Sequence, residues 1–116
     1  MPKPSDDRLY LAQMLDMARK VIGKTRGLPR ERYDADENLR IALLHLVQTI
    51  GEAAGRVSRA GHAANPDIPW KAITGMRNKI VHDYINVDFD VLWDVVTGDI
   101  GALAATLEKL GLPDDL

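Results

Sequence analysis

Apolar residues recur along this chain at three- and four-residue intervals, and the strict alternation of a half-buried strand is missing. Asp6 and Asp7 precede Leu9, Leu11, Leu15, Ala18 and Ile22, which predicts an amphipathic helix ending near Lys24–Gly27. Leu28-Pro29 opens a loop of about eight residues, and Asp34 or Asp36 is the expected N-cap of a second helix over 36–58. Gly61, Asn65, Pro66 and Pro69 mark the next loop. A third helix is expected from Pro69, since proline is tolerated in a first turn, to His82 or Asp83. After a short loop around 85–87, a last helix over 88–110 carries one stripe through Leu92, Val96, Ile100, Leu103, Leu107 and Leu110. Gly98 and Gly101 predict a kink or break in its middle. The pattern is that of an all-α, up-and-down bundle of four to five helices, and 116 residues suit one domain over 1–116.

The second helix has more apolar surface than one core contact uses. Its main stripe is Leu39, Ala42, Leu43, Leu46, Ile50, Ala53 and Val57, while Leu44, Gln48, Gly51 and Gly55 form a seam on another face. Two glycines one turn apart, each costing ~1 kcal/mol in a helix interior, point to close approach of another helix. That helix belongs either to the same chain or to a second copy.

Composition narrows the chemistry. With 46% hydrophobic residues the chain is globular. Without cysteine it has no disulfide, thiolate metal site or thiol nucleophile, which fits a reducing cytoplasm. Its N-terminus has no apolar run of a signal peptide, and no segment approaches the ~20 apolar residues of a membrane span. A soluble cytoplasmic protein is expected. Aromatic residues make up 5%, too few for a base-stacking platform. No His/Asp/Glu cluster has metal-ligand spacing, and no glycine-rich phosphate loop or nucleophile elbow is present, so neither metal nor cofactor is expected. The net charge of −2 is unevenly spread. Residues 1–55 carry +1, residues 83–116 carry −7, and residues 56–82 carry +4 through Arg56, Arg59, Lys71, Arg77 and Lys79 against Asp67 alone. That segment is either ordinary surface charge or a site for a polyanion.

Arg77 is the residue that fits its surroundings least. On a helical wheel of 70–84, with about 100° per residue, it falls among Ile73, Ile80, Trp70 and Val81. A guanidinium there must reach an acid, an interface or a phosphate. Glu52 is one acid that could pair with it. Asn78 and His82 share a face at i, i+4, and His82 sits about 140° from Arg77. Metal-free RNA cleavage needs a base for the 2′-OH proton, an acid for the leaving oxygen and a cation for the charge at phosphorus. Histidine titrates near ~6.5 and serves as either acid or base. Arginine offers phosphate a charged fork of donors. On spacing alone, an Arg and a His on one helix are more often structural. His45 at a helix edge and His62 in a Gly/Ala-rich loop have little to recommend them as catalysts.

The string Arg77-Asn78-x-x-x-His82-x-Tyr84 resembles the R-N-x-x-x-H-x-Y signature of the HEPN superfamily, in its HepT-like toxin branch. Ile50–Ala54, Pro69–Met76, and Val87-Asp88 followed by Leu92-Trp93 resemble the flanking family segments, so the likeness spans roughly residues 8–110. It implies a helical homodimer whose two signature helices face each other across a composite cleft. It also implies an endoribonuclease toxin, independent of metal, paired with a nucleotidyltransferase-like antitoxin of the MNT type that in some systems adenylylates the motif tyrosine. Carried over, Arg77 stabilises the phosphate, His82 is the acid or base, and Asn78 assists. Tyr84 is a site contact and candidate for modification. Lys71, Lys79, Arg56 and Arg59 are candidate RNA contacts, and Glu52 is a supporting residue. The alternative is a catalytically inactive HEPN module that binds a nucleotidyltransferase partner or a nucleotide.

Overall fold

The computed structural model describes residues 4–83 and 86–113, and there the chain is all helical. Helix α1 spans Pro4–Thr25, α2 Arg30–Ala35, α3 Glu37–Arg56 and α4 Arg59–Ala64. Then come α5 (Trp70–Thr74), α6 (Met76–Ile80), α7 (Phe89–Asp94), a π-helical turn (Val95–Asp99) and α8 (Ile100–Glu108). Three long rods carry the bundle: α1, α3, and the run from α7 through the π-turn to α8. Helix α1 packs against both α3 and α8, and α5 and α6 close over α3. The core between them includes Met14, Val21, Leu43, Ile50, Ile80, Leu92, Ile100 and Leu107, all inaccessible or nearly so.

Local signals in the sequence explain several boundaries. Asp36 caps α3 by accepting from the Leu39 amide at 2.9 Å. Asp88 caps α7 by accepting from Val91 at 3.0 Å. The expected kink near Gly98 is the π-turn, where one extra residue per turn widens the helix.

Elsewhere the chain departs from its periodicity. The loop expected after Leu28 contains α2, and the loop expected after residue 58 contains α4, capped by Ser58 through Gly61 N at 3.0 Å. Helix α4 is held by the buried carboxylate of Asp7. It accepts from the Ser58 amide at 2.7 Å and the Ser58 hydroxyl at 2.6 Å, tying the start of α1 to the end of α3. These two rods therefore run antiparallel. Gly61 lies so close that a Cβ would stand 2.5 Å from Asp7 Oδ2.

The expected third helix is two pieces. It breaks at Gly75, whose amide still bonds Lys71 O at 3.1 Å, and it ends at Ile80 rather than at His82 or Asp83. The residues on either side of the break keep one inward line. Ile73, Met76 and Ile80 still point inward, but Arg77 is exposed, outside the apolar arc expected for it. The α3 seam is partly an internal contact: a Cβ on Gly51 would lie 3.3 Å from Ile73 O, so α5 approaches α3 there. Gly55 has open space beside it. No helix among the described residues is long and apolar enough to cross a membrane.

Candidate active site

The site begins where α6 stops. Val81 adopts an extended conformation and forms an antiparallel bridge with Val87. The chain then doubles back: the His82 amide donates to Asn86 O at 2.9 Å, and the Asp88 amide to Ile80 O at 2.7 Å. Asp83 Oδ1 accepts from the Asn86 amide at 2.9 Å and tightens the turn. His82 is thus displayed on a reversal between α6 and α7, with a side chain 60% exposed. The face shared by Asn78 and His82 on a continuous helix does not exist, because His82 lies beyond the helix end.

His82 lines an open cleft of about 460 Å³. One wall is the turn itself, through Asn86 and Asp88; the other comes from the α2–α3 region, through Arg30, Asp34 and Arg40. Buried Tyr33 holds the walls together by donating its hydroxyl to Phe89 O at 2.7 Å. Burial pushes that phenol up to about 12. Arg30 bridges Asp34, at 2.8 Å, and Asp90, and stands over the rings of Tyr33 and Trp93. Those two carboxylates hold its guanidinium still more firmly protonated than usual. Arg40 lies over Phe89, 5.0 Å from the ring centroid, and donates to the carbonyls of Tyr33 (2.8 Å) and Asp34. No carboxylate pairs with Arg40 among the described residues. On the wall formed by the turn, His82 Nε2 stands 4.0 Å from Asp88 Oδ2.

The other residues singled out in the sequence lie elsewhere. Arg77 and Asn78 are exposed on α6 and line neither this cleft nor the second groove. Lys71 and Lys79 line that second groove, about 600 Å³, between α5–α6 and the π-turn with α8. Arg56 and Arg59 are exposed at the junction of α3 and α4. Glu52 is exposed, and no ion pair joins it to Arg77 among the described residues. Tyr84 lies outside the described residues. His62 is on α4 rather than in a loop. It stacks on Trp70 at 4.1 Å and donates from Nε2 to Ala54 O at 2.9 Å, a structural role. No group of three His, Asp or Glu among the described residues is placed to hold a metal ion.

Sequence reasoning missed Arg30, Arg40 and the role of Asp88 in the cleft. Nothing marks the two arginines, which lie about 40 to 50 residues upstream of His82 in an expected loop and at a helix start. Asp88 is legible only as an acid before an apolar run, the signature of an N-cap.

An all-helical bundle that displays the Arg77–His82 motif at the end of a short helix is the arrangement expected of the HEPN class. The "Ribonuclease HepT-like" family model matches residues 14–110, and the chain belongs to that family. It is 32% identical over 101 residues to the "Probable ribonuclease HepT" of Thermococcus cleftensis, covering 87% of this chain and 92% of the relative. It is 27% identical over 103 residues to "Putative RNase MJ1380" of Methanocaldococcus jannaschii, covering 89% and 94%. No solved structure matches the chain.

Proposed function

We propose that this chain is an endoribonuclease toxin that cleaves RNA without a metal ion, at a cleft completed by a second copy of itself. His82 accepts the proton of the 2′-OH, the 2′-oxygen bonds to phosphorus, and the phosphorus–5′-oxygen bond breaks. The leaving 5′-oxygen takes up one proton, so the balance is one proton moved from the 2′- to the 5′-oxygen. Arg77 stabilises the charge that builds at phosphorus, and Asn78 orients the phosphate. Two histidines related by a two-fold axis supply both base and acid.

One observation carries the composite site. His82 opens into a cleft that its own Arg77 and Asn78 do not line, although both are exposed. A second copy can bring these groups to the same phosphate. Lys71, Lys79, Arg56 and Arg59 supply the surrounding positive charge. The expected neutralising partner is a nucleotidyltransferase-like antitoxin of the MNT type, and Tyr84 is the proposed acceptor of its adenylyl group.

The test is expression in a bacterial host and cleavage of total RNA by the purified protein. Growth arrest and cleavage are expected for the native chain, undiminished by EDTA. Arg77→Ala and His82→Ala are expected to abolish both. Loss of cleavage in EDTA would refute the metal-free mechanism. Full activity in His82→Ala would remove His82 from the chemistry, and no cleavage by the native chain would leave only a binding module.

A further inference from the structure

Three carboxylates line the cleft beside His82: Asp34, Asp88 and Asp90. Arg30 engages both Asp34 and Asp90. Asp88 alone turns toward the imidazole, with Oδ2 4.0 Å from Nε2. Its other oxygen is fixed, because Oδ1 accepts from the Val91 amide at 3.0 Å as the N-cap of α7. Its backbone is fixed as well, through the bond to Ile80 O and the adjacent Val81–Val87 bridge. A carboxylate with one oxygen bonded and its backbone amide fixed is a rigid reference for a side chain that is itself largely exposed.

We propose that Asp88 is the positioning residue of His82: its Oδ2 faces Nε2, keeps the imidazole proton there, and leaves Nδ1 as the atom that exchanges a proton with RNA. The proposal takes its chemical meaning from the ribonuclease reading and deepens it. At 4.0 Å the atoms stand at ion-pair rather than hydrogen-bond distance. A bridging water or the tightening that accompanies substrate binding closes such a gap. When Nδ1 takes the 2′-OH proton, the oxygen–hydrogen bond breaks and a nitrogen–hydrogen bond forms. The resulting imidazolium is paired with Asp88 until Nδ1 releases the proton to solvent or to the leaving 5′-oxygen. Asp88 does not touch RNA, so it acts only through His82.

The discriminating variant is Asp88→Asn in the full-length protein. Asparagine caps a helix as well as aspartate does, so its Oδ1 keeps Val91 and the unfolding temperature is expected to stay within about 2 °C. The cap forces Nδ2, a donor, into the place of Oδ2. Nε2 then becomes the acceptor and the proton moves to Nδ1, the wrong tautomer for a base. Nitrogen-15 spectra of the neutral imidazole are expected to show the proton on Nε2 in the native protein and shifted toward Nδ1 in the variant. Turnover is expected to fall on the order of 10²- to 10⁴-fold with KM nearly unchanged. Asp88→Ser, which keeps a cap but cannot reach His82, is expected to lose turnover without imposing the Nδ1 tautomer.

The proposal is overturned if Asp88→Asn retains native turnover. It is also overturned if the tautomer is the same in both proteins, for then Asp88 is a helix cap only. A native protein that cleaves no RNA yet shows the tautomer exchange would refute the ribonuclease reading and leave the pairing standing.

Discussion

The hydroxyl of buried Tyr33 on α2 donates to the carbonyl of Phe89 at the start of α7, 2.7 Å away. This bond joins two segments that sequence places 56 residues apart, and it sets the distance between the two walls of the His82 cleft. Tyr33→Phe leaves the Phe89 carbonyl without that partner, and a loss of about 1–2 kcal/mol of stability is expected in urea unfolding.

Tyr33 also gives the fold an alkaline limit. Its phenol is raised from the ordinary value of about 10 to about 12 by burial, so the neutral form is favoured in the folded state. The contribution is complete below pH ~10 and is lost as pH rises through ~12. Thermal stability is expected to decline across that window. Tyrosinate absorbance should show one late phase, absent from Tyr33→Phe.

The composite cleft proposed for the dimer predicts complementation. A mixed dimer of one Arg77→Ala chain and one His82→Ala chain contains one site with both native residues, provided each site draws Arg77 and His82 from different copies. Activity above that of either homodimer but below half of native is expected from such dimers, because their one site with both native residues lacks the second histidine. Mixed dimers no more active than the homodimers would mean that Arg77 and His82 of each site come from one chain, or that both histidines are indispensable.

Arg40 offers the cleft a charge that no carboxylate neutralises among the described residues. Arg40→Gln keeps an amide to donate to the carbonyls of Tyr33 and Asp34 but removes the charge. KM for RNA is expected to rise several-fold, and the slope of log affinity against log salt to fall by about one. An unchanged salt slope would mean that Arg40 serves the wall and does not meet phosphate.

The contact between α1 and α4 sets a stability test remote from the chemistry. Asp7→Ala removes a buried acceptor from two donors of Ser58 and is expected to cost about 2–3 kcal/mol. Gly61→Ala places a Cβ 2.5 Å from Asp7 Oδ2 and 2.7 Å from Val57 Cγ1, with an expected cost of about 1–3 kcal/mol. Because both act on one contact, the double variant is expected to lose less than the sum, as read from denaturant midpoints.

The sequence by itself determined the long helices, their caps at Asp36 and Asp88, the distortion near Gly98, the core stripe and the motif from Arg77 to Tyr84. These depend on periodicity and on hydrogen bonds between residues a few positions apart, which a linear reading contains. Only the tertiary structure decided the rest. Gly75 breaks the third helix where α5 closes on α3, the helix ends at Ile80 so that Val81 leaves the expected apolar arc, and Arg77 is exposed. The chain reversal after Ile80 brings Asp88 to His82, and the packing of α2 on α7 brings Arg30 and Arg40 to the same cleft. A helical wheel assumes one unbroken axis, and spacing says nothing of residues that meet because two separate segments bury their apolar faces together.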